Sequence, residues 1–131
     1  MKKLMTVILL SLCMLSLVAC QKISESEVYS FPELTKKITV IFHSQGQETT
    51  FEFGEENNDY NNGEINSLIK WFYGLELIDC EVPEVVYGAE NYVFEVNGKD
   101  AFTYEDRGKD AYIIIGGDYY KVNNPSTPPI N

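Results

Sequence analysis

The chain has 131 residues, 44% hydrophobic, with seven Phe, nine Tyr and one Trp. That is enough apolar material for one ordinary core without metals or disulfide staples, and it excludes a globally disordered chain. Twenty Asp and Glu against ten Lys and Arg give a net charge of -10, which repels phosphate backbones and anionic headgroups and weighs against nucleic acid and free adsorption to charged membranes.

The first element is a targeting segment. Met1-Lys2-Lys3 precedes LMTVILLSLCMLSLVA, an apolar run broken only by small hydroxyls and one thiol. As a helix it spans roughly 24 Å, short for a hydrocarbon core of about 30 Å. No stop-transfer pattern follows, so residues 1–19 read as a secretory signal.

Leu17-Val18-Ala19-Cys20 then resembles the lipobox of bacterial lipoprotein signal peptides: a branched residue, a tolerant position and a small residue before cysteine. The resemblance implies diacylglycerol transfer to the Cys20 thiol, cleavage before it, and often a further acyl chain such as palmitate on the new amino group. Each buried methylene is worth about 0.8 kcal/mol, and two acyl chains anchor durably where one does not. The expected location is the extracytoplasmic face of the cell membrane, lipid-anchored. In a two-membrane cell, Gln21 after the lipidated cysteine resembles the outer-membrane default.

With residues 1–19 removed, eight bases face 20 acids, a net charge of -12. A cationic partner would be steered towards such a body. Cys80 is then the one free thiol, so no intramolecular disulfide can form. Its surroundings, LELIDCEV, are apolar and acidic and would raise a thiol pKa, the setting of a buried, inert cysteine.

Residues 20–30 open polar and without period, and are expected to be a lipid-anchored tether reaching on the order of 20 Å, leaving a single domain over 31–131. From Lys37 the sequence alternates, with Ile38, Val40 and Phe42 on one face, Gly46 in a turn and Phe51 and Phe53 on the return: a hairpin. Asn61 and Glu64 have capping-box spacing, and Ile65, Leu68, Ile69 and Phe72 recur at helical positions up to Gly74. LELIDCEV (75–82) is expected to be extended as far as Pro83. Three turns, at Asn97-Gly98, Arg107-Gly108 and Gly116-Gly117, cut the remainder into a four-stranded meander. Its unbroken Ile113-Ile114-Ile115 suggests a central strand covered on both faces. NNPSTPPI closes the chain as a proline-stiffened strap. The predicted fold is α+β: an antiparallel sheet of N-terminal hairpin and C-terminal meander, packed by one amphipathic helix.

Chemistry is hard to build from these residues. EENNDYNNGE is rich in oxygen ligands, but with Gly63 as sixth residue of a calcium loop, Tyr60 spoils the third position and Ile69 the twelfth. The lone histidine, His43, sits on the polar face of its strand, and a dyad with Cys80 would lack surroundings that form thiolate. No serine lies in a GxSxG context. Carboxylate neighbours such as Glu105 with Asp106, or Asp79 with Glu81, arise by chance among so many acids. No metal, cofactor or catalytic residue is expected. Most aromatics must be core, yet tyrosine is a favoured contact residue, and Tyr104, Tyr112, Tyr119 and Tyr120 are the candidate binding residues.

Over roughly residues 31–130, the early hairpin, single helix and tyrosine-rich meander also resemble small lipoprotein domains of uncharacterised function from Gram-positive bacteria, a resemblance that implies no activity. The expectation is a monomeric, non-enzymatic, surface-anchored binding module for an envelope or extracellular ligand. The alternatives are an inhibitor or immunity protein capturing a cationic hydrolase such as a lysozyme, and, third, a hydrolase.

Overall fold

A computed structural model describes residues 21–54, 62–79 and 81–130. The elements are β1 (Gln21–Ile23), α1 (Glu25–Val28), β2 (Lys37–Ser44), β3 (Gln47–Gly54), α2 (Asn62–Tyr73), β4 (Leu77–Asp79), β5 (Glu90–Val96), β6 (Lys99–Asp106), β7 (Ala111–Ile115) and β8 (Asp118–Val122). All eight strands join one antiparallel sheet in the order β1-β4-β8-β7-β6-β5-β2-β3. This is an α+β fold dominated by its sheet.

The turns are dictated locally. In the β2–β3 and β5–β6 hairpins both central residues have positive φ, Gln45 at 51° with Gly46 at 75° and Asn97 at 51° with Gly98 at 79°. Such turns match the twist of the flanking strands. Asn97 does more than turn the chain. Its Oδ1 accepts from the N–H groups of Lys36 and Lys37, its Nδ2 donates to the Leu34 carbonyl, and its own N–H donates to the Lys37 carbonyl. One side chain thus fastens the entry of β2 to the β5–β6 turn. At the open end of the β2–β3 hairpin Gly54, at φ 125°, lies against the main chain, where a Cβ would come within 2.1 Å of the Lys36 carbonyl oxygen.

Alternation sorts the sheet into two faces. Ile38, Val40, Phe53, Tyr92, Phe94, Phe102, Tyr104, Ile113 and Val122 point to one side, where they form the core with Ile65, Leu68 and Phe72 of α2. Phe102 packs between Phe94, stacked at 4.5 Å, and Phe72, tilted at 4.6 Å. The helix stops at Gly74, whose N–H donates to the Lys70 carbonyl at 3.0 Å. The capping residue expected at the start of α2, Asn61, lies outside the described residues, as do the rest of 55–61, Cys80, Asn131 and residues 1–20.

β7 is an interior strand, fourth in the order, and Tyr112 and Ile113 on its two faces are both buried. The C-terminal strap is present: Pro128 and Ile130 are buried, and Trp71 Nε1 donates to the Ser126 carbonyl at 3.2 Å and hydroxyl at 3.1 Å. Asn124 fixes its start, accepting from the Glu76 N–H at 2.6 Å and donating to the Gly74 carbonyl at 3.0 Å.

Two expectations change. The segment read as a tether is folded: Gln21, Lys22 and Ile23 pair with Asp79, Ile78 and Leu77, and a helical turn follows. Tyr29 and Phe31 then pack on Phe72 and Phe102, so the domain reaches back to Gln21 rather than beginning at residue 31. Polar side chains concealed this, because an edge strand recruits its partner through backbone groups, which have no pattern in sequence. The extended stretch expected over 75–82 contracts to Leu77–Asp79, and the chain has left the sheet before Pro83.

Candidate functional site

The four candidate tyrosines separate. Tyr104 alternates in step with Phe102 into the core and is 1% exposed, so it is not a surface contact residue. Its ring packs edge-on to Trp71 at 5.2 Å, and burial foremost, with Asp106 adding, pushes its phenol up to about 12, while a hydrogen bond from the Ser126 main chain opposes the shift. Tyr120 faces the same side and is half-buried against the core; burial, Asp118 and Asp79 raise its phenol. Tyr112 and Tyr119 lie together on the other face, rings edge-on at 6.0 Å.

That second face holds the remaining features. Cross-strand pairing aligns a middle row, Thr50, Ile41, Val93, Thr103, Ile114 and Tyr119, all but Thr50 half-buried. Val93, Ala101, Thr103, Ile114, Ile115 and Gly116 line a shallow groove of about 290 Å³ with Asp100 on its rim. The pairing slips between Phe94 and Glu95, which opposes Asp100 and leaves Ala101 without a partner. Such a bulge bends the strand locally. Here it falls within the groove.

Beside it, Tyr112 sits opposite Glu105 on one side and Lys121 on the other. The Arg107 guanidinium lies 4.8 Å from the Tyr112 ring centroid, is hydrogen-bonded to Glu105, and donates from Nη1 to the Glu84 carbonyl at 2.8 Å. Pair and ring shield one another from water, so Tyr112 is only 9% exposed. Lys121 also reaches Asp110 at 3.7 Å. Of the four residues predicted, Tyr119 is the one that meets the groove, through its register partner Ile114.

At the end of the sheet where β5 begins and β6 ends, Gly88, Glu90, Asp106, Arg107 and Gly108 surround a polar notch of about 280 Å³. Glu90 and Asp106 are direct cross-strand partners, and together with burial, the larger cause, they raise the Tyr92 phenol. Asp106 is occupied in accepting from the Gly108 N–H at 2.8 Å, and Glu90 accepts from the Ser44 hydroxyl at 3.3 Å. Among the described residues no group of three metal-ligating side chains occurs. His43 is half-buried and 3.7 Å from Glu48. The strand leading to Cys80, β4, lies five places from β2 in the sheet, roughly 24 Å at about 4.8 Å per strand.

Sequence reasoning missed the groove and Arg107. The groove comes from cross-strand register that no local pattern encodes. Arg107 was visible only as a turn residue, though its position two residues after Glu105 was a usable cue. No protein-family model, curated protein or solved structure matches this chain.

Proposed function

We propose that this protein is a lipid-anchored surface protein whose domain works as a non-enzymatic binding module of the cell envelope, on the extracytoplasmic side of the membrane. The observation that carries this reading is Leu17-Val18-Ala19-Cys20 at the end of a signal-like apolar run. The open sheet face supports the second half. Its groove offers apolar contact, and Tyr119 and the Arg107–Tyr112 pair, with Arg107 hydrogen-bonded to Glu105, stand beside it. A bound chain would gain area and orientation there.

Anchoring is tested on protein purified from a bacterial membrane. Intact mass should show a chain starting at Cys20 and carrying a diacylglyceryl group, and the protein should enter the detergent phase of a cloud-point separation. An unmodified thiol with partition into water would end the reading.

A second reading is favoured by charge. The net of -12 beyond residue 19, together with exposed Glu48 and Glu52 on the outermost strand β3, suits capture of a cationic hydrolase. In that reading the acids steer the partner in and the domain blocks it.

A further inference from the structure

We infer that the crossover from β4 to β5, through Val82, Val85, Val86 and Tyr87, is a membrane-contact element that lies on the bilayer holding the acyl chains of Cys20. The inference rests on the lipid-anchor reading above and adds how the domain is held at that surface.

No spacer separates anchor from fold. Gln21 is already a strand residue, paired with Asp79, and one peptide link, about 3.8 Å between Cα atoms, joins it to Cys20. An acylated Cys20 therefore brings this edge of the sheet down to the headgroups. The polypeptide that leaves the sheet at Asp79, Gln21's partner, is the crossover itself, and Val82 follows within three residues.

The crossover is built unlike the rest of the surface. Val82 is 66% exposed, Val85 86%, Val86 43% and Tyr87 98%. Among the described residues six large hydrophobic side chains are exposed, the others being Leu34 and Tyr73, so four of the six fall within six consecutive positions. Scattered exposed apolar residues need no explanation, whereas a run of them marks a contact. Tyrosine at its end suits the headgroup level, where an apolar ring and a polar hydroxyl are both accommodated. The segment is also held in place, by Pro83 within it and by Arg107 on the Glu84 carbonyl at 2.8 Å.

Charge selects the kind of surface. Glu81 and Glu84 are exposed among the valines, and the whole body is strongly negative, so the crossover would not adsorb unaided to an anionic membrane. With the covalent anchor supplying proximity, only the local apolar contact is left to form. It should be strongest on zwitterionic lipid and weaken as anionic lipid replaces it.

The test uses the full lipidated protein reconstituted into phosphatidylcholine vesicles with brominated acyl chains, floated through a sucrose gradient. Tyr87→Trp and Val85→Trp place a reporter in the crossover, and Glu48→Trp places one on β3 at the far edge of the sheet. Trp71, stacked on Phe94 at 5.6 Å, is a common background. Flotation with loss of most of the added emission for Tyr87→Trp and Val85→Trp, and none for Glu48→Trp, supports the inference. Flotation without quenching at either crossover position overturns it, leaves the anchor standing and frees the segment for a protein partner. Equal quenching at all three positions also overturns it. Failure of the unsubstituted protein to float overturns the anchor and this inference with it.

Discussion

Tyr104 links the helix, the sheet and the terminal strap through one ring, and its ionisation is the residue-scale test of that packing. Its phenol is raised from the ordinary value of 10.0 to about 12. In the unfolded chain tyrosine releases its proton near pH 10, whereas in the folded chain Tyr104 keeps it until about 12. Between those values the unfolded state binds fewer protons, so stability falls as pH rises; below about 10 the contribution is complete. The loss should be about 2–3 kcal/mol. Urea denaturation at a series of alkaline pH values checks it, alongside ultraviolet phenolate absorbance. Tyr104→Phe should remove the latest-titrating phenol and flatten part of the decline, leaving what the raised Tyr29, Tyr92 and Tyr120 contribute. An unchanged decline would mean that Tyr104 is more hydrated than its 1% exposure indicates.

At the scale of elements, the strap has the most direct consequence. Ile130 is 8% exposed and belongs to the core, although it is the last described residue. Ile130→Ala should cost about 2–4 kcal/mol, the usual range for emptying a buried aliphatic site, read as a lower urea midpoint with little change in slope. A cost under half a kilocalorie would show that the strap frays in solution. The β2–β3 hairpin, α2 and the meander were legible because period and turn chemistry are local: Asn97-Gly98 announces its turn, and Ile65, Leu68 and Phe72 their face. β1 was not, since Gln-Lys-Ile has no period and pairs only because β4 offers an edge. Tyr104 could have been assigned to the core from its alternation with Phe102. Alternation puts the neighbours Tyr119 and Tyr120 on opposite faces, but which face α2 would cover is a property of the assembled sheet.

For the whole molecule, charge decides the behaviour that sequence alone could forecast. If the domain captures a basic protein, affinity should fall by roughly tenfold or more between 0.1 and 1 M salt, as the screening length shrinks from about 10 to 3 Å. Most of the loss should be in the association rate, and surface plasmon resonance with a lysozyme separates the two rates. An uncharged peptide or sugar in the groove should be nearly indifferent to salt. A tight, salt-insensitive complex with a basic partner would show that the acids take no part in steering.

The outermost strand has a bearing on crowding. Among the described residues β3 pairs only with β2, leaving eight residues with one ladder edge free. Two neighbours aligning these edges head-to-tail about Thr50 would set each Glu48 against the other's Glu52, two like-charge contacts that cross-strand geometry makes unfavourable. For copies held at a membrane by the proposed anchor, which would meet far more often than copies diluted in bulk, an edge that disfavours its own twin would let many share a small area as separate bodies.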